Sequence, residues 1–289
     1  MSEENAGLPA AWYTRPEIFA RERRAIFAGA WQLLGRRDQL SKPGDYLAAT
    51  LGGWSVFAML DDAGQLGAFQ NVCRHQGLPV LDAGGGNCEM LRCRYHGWTY
   101  DLQGRFTKAP PAVAPADPAD PLHHLVRVGA ATAAGLIFVR IDGDNPLDAA
   151  PDIDLPGLRF TGHAANDIDA NWKLVVETLL GGSDGFRWSW PTLVIRSSDD
   201  GAVVYQVTPR AFRRTRLVAH LYADAAHDGT AMVERANRTA DEAKASCEAQ
   251  QRAFESGGAA RPTEPRLAQF HAQLRTAHAA IDTSRRGGN

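Results

Sequence analysis

Two short segments of the sequence each place one cysteine beside one histidine. The first reads Cys73-Arg74-His75, and the second reads Cys93-Arg94-Tyr95-His96. Two thiolates and two imidazoles can bind a [2Fe–2S] cluster, with the sulfur ligands on one iron and the nitrogen ligands on the other. The same four side chains could instead hold a tetrahedral zinc ion. A Cys-x-His half followed by a Cys-x-x-His half differs from the common zinc-finger spacing, so the sequence favours the cluster.

Glycines follow both histidines, at Gly77 and Gly97. Glycine permits tight loops and a close approach of backbone amides to a bound cluster. We therefore expect each Cys–His pair to lie on a loop between β-strands. Alternating or clustered apolar residues between turn residues predict strands at 45–51, 54–60, 66–72, 91–93, 98–101, 105–108 and 135–141.

These strands predict a small all-β domain at residues 35–150, preceded by a helical segment at residues 1–34. A helix is expected from Pro16 to about Ala28, because proline suits the first helical turn. The stretch 142–156, rich in Pro and Asp, is predicted to be a linker.

Residues 151–289 are predicted to form an α+β domain. A helix is expected from Asn171, followed by strands at 192–196, 202–208 and 216–223 and by two terminal helices. Thr239 is positioned to cap the first terminal helix, with Glu242 completing a capping box. Thr263 is positioned to cap the second.

The charges of the chain nearly balance, with 31 Lys and Arg against 33 Asp and Glu. Such a balance does not favour nucleic acid or an acidic membrane as a partner. No apolar run approaches the length of a membrane span, and the polar N-terminus lacks the pattern of a secretion signal. The sequence thus predicts a cytoplasmic protein, in which clustered cysteines indicate metal binding rather than disulfides. Cys88 is predicted to be a small buried residue.

Longer stretches around the two motifs resemble a known family. The segments NVCRHQG at 71–77 and RCRYHGWTYD at 92–101 resemble the Rieske domain of ring-hydroxylating oxygenase α-subunits. The segments LPAAWYT at 8–14 and NWKLVVE at 171–177 resemble the same family, including its subgroup that acts on quaternary amines. The resemblance implies an α+β fold, with an N-terminal all-β Rieske domain and a truncated, helix-grip-like C-terminal domain. It also implies that Cys73, His75, Cys93 and His96 hold a Rieske [2Fe–2S] cluster.

In that family an electron reaches the cluster from a ferredoxin or a flavin-dependent reductase. It then passes to a mononuclear iron, usually in the neighbouring subunit of a trimer. That iron is bound by two histidines and one carboxylate, which leaves positions open for O₂.

The resemblance fails at the residues that would bind the mononuclear iron. In direct register, the family's acidic residue that bridges the two metal sites becomes Gly181, and its two histidines become Asp184 and Ser189. Alternatively, a long segment of the family is absent, because residues 187–193 resemble a family stretch that normally lies much later. The family's Asp ligand lies four residues before the position of Cys247, where this chain has Ala243. We expect a shortened loop at 181–185 and the loss of this iron site.

The remaining histidines offer no obvious replacement ligands. His271 and His278 are two turns apart on one predicted helix, and they are interpreted as a solvent-exposed pair. His123, His124 and His163 are interpreted as surface residues.

Three hypotheses therefore stay open. The chain is a redox companion subunit, in a homotrimer or in a hetero-oligomer with a catalytic α-subunit. Alternatively, it is an active oxygenase of an aromatic or quaternary amine substrate, with an iron site rebuilt from Asp184, Asp241 or Glu242 and distant histidines. The third hypothesis is a non-redox zinc or sensor module. Trp98 is expected either to pack beside the cluster or to be a core aromatic of the β domain. Arg74 and Arg94 are either ordinary solvated arginines or residues that face an acidic redox partner.

Overall fold

The computed structural model describes residues 7–111, 113, 116–143, 153–182, 185–259 and 263–286. The chain is 29% helical and 34% strand, which confirms the predicted mixed class. Contacts divide it into two compact units. The β unit is Ala28–Asp152, and the mixed unit combines Met1–Phe27 with Ile153–Asn289.

The described strands of the β unit pair in antiparallel sheets. Their orders are β4-β3-β2-β5, β1-β10-β9 and β6-β7-β8. The strands are β1 Gln32–Arg36, β2 Asp45–Leu51, β3 Trp54–Leu60, β4 Leu66–Gln70, β5 Gly84–Asn87, β6 Leu91–Arg92, β7 Thr99–Tyr100, β8 Phe106–Lys108, β9 Gly129–Ala133 and β10 Leu136–Arg140.

One core of the β unit includes both motif cysteines. Phe57 and Phe69, on β3 and β4, are fully buried and belong to the same cluster as Cys73, Cys93 and Trp98. The loops that carry the cysteines are therefore fixed to the hydrophobic core of this unit.

Strand β5 was not predicted, because a glycine-rich run has a low strand propensity. The structure gives a reason for these glycines. A Cβ atom added at Gly86 would lie 2.7 Å from the hydroxyl oxygen of Tyr46, on the neighbouring strand β2. A residue without a side chain therefore lets β5 pair where Tyr46 covers the sheet. Strands β1 and β9 were also not predicted.

The mixed unit contains an antiparallel sheet in the order β11-β15-β14-β13-β12. Its core joins Phe27 near the N-terminus to Trp172 and Phe270, so residues 7–27 share a core with the C-terminal half. The elements are α1 Ala11–Thr14, α2 Pro16–Glu22, β11 Arg159–Ile168, α3 Trp172–Gly182, β12 Phe186–Ser189, β13 Leu193–Ser198, β14 Gly201–Ala211, β15 Arg214–Ala223, α4 Thr230–Glu255 and α5 Ala268–Arg286. A π-helical turn at Arg23–Phe27 extends α2.

The predicted start of α4 is wrong. The helix begins at Thr230, after Gly229, so Thr239 and Glu242 lie inside it and form no capping box. Buried Met232 and Ala236 continue the helical spacing on the N-terminal side of Thr239. Small alanines gave this stripe a weak hydrophobic signal in the sequence.

The predicted cap of the last helix is also wrong. A turn of 3₁₀-helix at Pro265–Leu267 precedes α5, and Glu264 occupies its N-cap. Thr263 instead contacts the ring of His271. The loop expected at 181–185 begins later than predicted, because α3 continues through Gly182. Ser183 and Asp184 lie outside the described residues, as does most of the predicted linker.

In the part of the chain that the structure describes, none of the helices combines the length and hydropathy needed to span a bilayer.

Candidate metal centre

The first motif loop is closed by two backbone hydrogen bonds. The Cys73 N–H donates to the carbonyl of Leu78 at 2.8 Å, and the Gly77 N–H donates to the carbonyl of Cys73 at 2.9 Å. Gly77 has a φ of +77°, which other residues rarely adopt.

The second loop repeats this pattern. The Cys93 N–H donates to the carbonyl of Trp98 at 2.8 Å, and the Gly97 N–H donates to the carbonyl of Cys93 at 2.9 Å. Gly97 has a φ of +70°, and a Cβ there would lie 2.8 Å from Pro110. The two loops thus share one backbone bonding pattern, although their histidines stand at different places after the cysteine.

The four predicted ligands are brought together, with the thiols inside and the imidazoles outside. Cys73 and Cys93 are each 2% exposed, whereas His75 is half-buried and His96 is exposed. The two imidazole rings meet edge to face, with centroids 4.8 Å apart. Burial and the adjacent Cys93 thiol both raise the pKa of Cys73.

A tetrahedral zinc site needs all four donors around one point. A two-iron cluster needs only one pair of donors at each iron. The arrangement of an inner thiol pair and an outer imidazole pair fits the second case.

The Nδ1 atom of His75 is buried and has no hydrogen-bond partner among the described residues. A buried polar atom without a partner costs free energy, so such atoms are rare in folded proteins. Binding to a metal would satisfy this nitrogen. The donor set and this atom therefore fit a [2Fe–2S] cluster.

Trp98 lies against this histidine, as predicted. Its ring stacks on His75 with centroids 5.2 Å apart and an interplanar angle of 13°. Trp98 also contacts Phe106 at 4.5 Å and His123 at 5.5 Å between centroids. These rings restrict water on one side of His75.

The interpretation of His123 and His124 as surface residues is wrong. His123 is half-buried and packs on Trp98, while the Nδ1 atom of His124 accepts the Phe106 N–H at 3.1 Å. Both contacts bring together residues far apart in the sequence, which single-residue hydrophilicity does not reveal. His163 is exposed, as expected.

Two further residues of the site were not assigned a role from the sequence. The Tyr100 hydroxyl lies 3.2 Å from the sulfur of Cys73 and also accepts the Arg74 N–H at 3.0 Å. Because that oxygen already accepts one hydrogen bond, its proton is free to point at the sulfur. Buried Asn71 fixes the first loop by accepting two backbone N–H groups, from Val80 and Leu81.

The candidate partner-facing arginines are exposed. Arg94 pairs with Asp82, and the Nε atom of Arg74 donates to the carbonyl of Leu122 at 3.0 Å. Cys88 is half-buried rather than fully buried, and its sulfur lies 4.0 Å from the carbonyl of Gly44.

In the mixed unit, the positions expected for the mononuclear iron carry few donors. Gly181 lies in the last turn of α3, Ser189 ends β12, and Ala243 is a buried residue of α4. Asp241 and Glu242 are exposed on α4.

The interpretation of His271 and His278 as an exposed pair is wrong, because both are buried. The Nε2 atom of His271 lies 3.0 Å from Glu177, and that of His278 lies 3.1 Å from Glu22. Each imidazole thus has a carboxylate partner, half-buried Glu177 for His271 and fully buried Glu22 for His278, and neither is an exposed ligand.

Glu22 is the centre of a buried polar network that the sequence did not reveal. One oxygen lies 2.7 Å from the ammonium of Lys173, and the other accepts the indole N–H of Trp172 at 2.9 Å. Neither charged side chain is exposed. A lysine within the apolar run of α3 was the available signal, since a buried charge requires a partner.

Comparison with known proteins extends these observations. The sequence matches the Rieske [2Fe–2S] domain family over residues 30–126. It matches the catalytic domain of ring-hydroxylating α-subunits over residues 180–280.

Individual relatives agree with both matches. The chain is 30% identical to the choline monooxygenase of Spinacia oleracea over 61% of this chain and 43% of that protein. It is 31% identical to the glycine betaine monooxygenase oxygenase subunit of Chromohalobacter salexigens, over 59% of this chain and 40% of that protein. The chain thus spans less than half the length of these curated relatives.

The fold also matches a solved structure. The apo form of the quaternary ammonium Rieske monooxygenase CntA superposes with a TM-score of 0.79 and 21% identity, covering 96% of this chain and 97% of that one. At this identity the likeness concerns the fold. Taken with the two family matches, it identifies the chain as a homologue of the Rieske oxygenases, with a Rieske [2Fe–2S] domain followed by a catalytic-type domain of the ring-hydroxylating α-subunits.

Proposed function

We propose that Cys73, Cys93, His75 and His96 bind the [2Fe–2S] cluster and that this chain is an electron-transfer subunit of a Rieske oxygenase system. In this proposal the oxygen-activating iron is held by a different, catalytic chain. The main support for this proposal is the arrangement of two buried thiols next to two outer imidazoles. One of these imidazoles, His75, has a buried nitrogen without a hydrogen-bond partner among the described residues.

When bound, a Rieske cluster supplies a site that accepts and releases one electron at a time. The residues around it have separate tasks. The Cys73 and Cys93 thiols lose their protons to bind iron, against the burial that favours the neutral form of Cys73. Tyr100 offers a hydrogen bond to the Cys73 sulfur, and Trp98 limits water beside His75.

The electron would leave through the exposed edge of His96. Electron transfer is fastest over short distances, and a partner protein can approach the site most closely at this edge. Exposed Arg94 lies two residues before His96 and exposed Arg74 directly before His75, and an acidic redox partner would complement them. The partner on the donor side would be a ferredoxin or a flavin-dependent reductase. A cytoplasmic location would keep all four thiols of the chain reduced.

The proposal that this chain lacks the mononuclear iron rests on Gly181, Ser189 and Ala243. Gly181 and Ala243 carry no metal-binding group, and the Ser189 hydroxyl is a weak ligand compared with the histidine it replaces. Asp184 would be the one strong donor left in this register, and an iron without its other ligands does not stay bound. A hetero-oligomer with a catalytic α-subunit would supply the missing iron, whereas a homotrimer of this chain would have to pass its electrons to a separate catalytic protein. A solved homologue, 20% identical, is described with inter-subunit electron transfer, which supports a partner-based arrangement.

A second candidate is an active oxygenase with a rearranged iron site. It is favoured by relatives that are named as monooxygenases of choline and glycine betaine. Asp184 would be one ligand in this case.

Iron stoichiometry separates these candidates. The full chain is reconstituted anaerobically with iron and sulfide and analysed for metal content and by EPR after reduction. About two irons per chain with a Rieske-type signal supports the electron-transfer subunit, whereas about three irons supports the oxygenase. A colourless protein with one zinc per chain would contradict both.

The Asp184→Ala variant is the matched test for the oxygenase. Loss of a third iron and of O₂-dependent turnover in this variant alone would establish the rearranged site. If both the parent chain and the Asp184→Ala variant contain two irons and deliver electrons to a catalytic α-subunit, the rearranged iron site is excluded.

A further inference from the structure

A pocket of about 460 Å³ opens in the mixed unit and is lined by residues of α3, β12, β13 and α4. Its lining carries three guanidinium groups, from Arg196, Arg235 and Arg238. The single carboxylate of its described lining belongs to Glu242. Because Arg235 is paired with Asp200, Arg196 and Arg238 against Glu242 leave an excess of one positive charge.

Like charges at this spacing repel each other. Arg235 and Arg238 are three residues apart on α4, so their side chains share one helix face. Asp200 offsets the charge of Arg235, and an anion bound to Arg238 would offset the second charge and gain charge-assisted hydrogen bonds.

Two of the arginines are held in place by neighbours. The guanidinium of Arg196 lies 5.3 Å from the ring centroid of Phe186, its cross-strand partner on β12. Arg235 pairs with Asp200. Within the described ranges, Arg196 and Arg238 have no carboxylate partner, so their N–H groups remain available to a ligand.

The rest of the pocket is partly apolar. Leu179, Phe186 and Ala243 contribute hydrocarbon surface next to the arginines. Concave sites with apolar walls and a few convergent polar groups are typical of small-molecule binding. Guanidinium groups bind carboxylates in a planar, two-bonded geometry.

We propose that this pocket binds a small organic acid. Its carboxylate would bind Arg196 and Arg238, and its hydrocarbon part would lie against Leu179, Phe186 and Ala243. This inference does not depend on the cluster or on the electron-transfer role. It also separates this chain from a relative named for choline, because a cation without a carboxylate would be repelled here.

Calorimetric titration of the full chain at neutral pH tests the proposal. The probes are hexanoate and 3-phenylpropanoate, with their neutral amides, inorganic phosphate and choline for comparison. We expect saturable binding of at least one acid at or below the millimolar range, weakened by added salt, and about tenfold weaker binding of its amide. Choline should not bind.

Matched variants locate the binding. Arg238→Gln should weaken acid binding by about tenfold or more. Arg252→Gln makes the same change on the same helix, at an exposed residue outside the pocket lining, and should have no effect. Arg196→Gln provides a second pocket variant if Arg238→Gln does not fold, as judged by circular dichroism.

Several results would overturn the proposal. Equal affinities for an acid and its amide would exclude the arginines as the recognition element. Phosphate that binds as tightly as the acids would indicate an inorganic anion site. The assignment would be contradicted if neither acid binds at millimolar concentration or if choline binds. It would also be contradicted if Arg252→Gln weakens acid binding as much as Arg238→Gln does.

Discussion

The Tyr100 hydroxyl oxygen lies 3.2 Å from the Cys73 sulfur. A hydrogen bond to a cluster ligand stabilises the reduced state, which carries more negative charge. The same oxygen accepts the Arg74 N–H at 3.0 Å, and a hydroxyl that accepts one hydrogen bond can still donate its proton to the sulfur.

Removal of this hydroxyl should lower the reduction potential. Tyr100→Phe keeps the ring and is expected to shift the midpoint potential of the reconstituted cluster by roughly −50 mV, about 1 kcal/mol for one electron. Potentiometric titration followed by EPR measures the shift. Tyr95→Phe removes an exposed hydroxyl from the second loop and should leave the potential unchanged. Equal shifts in the two variants would show that the Tyr100 hydroxyl has no special effect.

The outer imidazole pair should be needed for iron. His75→Asn removes the unpartnered Nδ1 donor and is expected to reduce the iron content from about two atoms to near zero per chain. His163→Asn changes an exposed histidine of β11 and should retain full iron. Iron and sulfide analysis after anaerobic reconstitution reads out both variants. Full iron in His75→Asn would remove this residue from the ligand set.

The Glu22–Lys173 pair should make the mixed unit sensitive to acid. Burial alone would raise the pKa of Glu22, but the Lys173 ammonium and hydrogen bonds from its neighbours hold it below the usual value. A lowered folded pKa means that this stabilisation is complete above the unfolded value of 4.5 and is lost as pH falls through the folded value. We therefore expect the free energy of unfolding, measured in urea, to fall below pH 4.5.

Removal of one partner of the Glu22–Lys173 pair should lower the free energy of unfolding at neutral pH. Glu22→Gln leaves the Lys173 charge buried and is expected to destabilise the fold by about 3–5 kcal/mol, with a smaller loss on acidification than the wild type. The double variant Glu22→Gln/Lys173→Met should recover much of this loss, because no unpaired charge remains buried. A double variant no more stable than the single one would show that the cost comes from packing.

Two glycines of the β unit should differ strongly in their tolerance to alanine. Both have positive φ, +82° at Gly44 and +73° at Gly64. A Cβ at Gly64 meets open space, so Gly64→Ala should cost only the backbone strain of about 1–2 kcal/mol. A Cβ at Gly44 would lie 2.1 Å from the carbonyl oxygen of Cys88, so Gly44→Ala should cost clearly more. Urea denaturation of both variants compares them, and equal costs would contradict the predicted clash.

Sequence reasoning succeeded where the signal is local. The apolar residues of 45–51 and 54–60 lie between turn residues, and the structure has strands with these bounds. Strand periodicity and turn residues are visible within a short window, which explains this agreement. The grouping of the two motif loops could also be predicted, because their ligand types require a common centre.

Sequence reasoning failed where the burial and contacts of a residue depend on a partner far away in the chain. His278 was interpreted as exposed, although its spacing of four residues from Leu274 places it on the buried face of α5. Its imidazole meets Glu22, 256 residues earlier in the chain. No pattern within α5 indicates that contact. Similarly, the contact of the Tyr100 hydroxyl with the Cys73 sulfur follows from the three-dimensional arrangement of the first loop and β7.

The division of the chain into a continuous β unit and a discontinuous mixed unit has a consequence for biosynthesis. Glu22 emerges from the ribosome early, whereas its partners Lys173 and His278 emerge only after the whole β unit has been synthesised. Domains generally fold as units during synthesis. The β unit can therefore complete its core on the nascent chain, while α2 waits with an unneutralised carboxylate until the last helix has been translated.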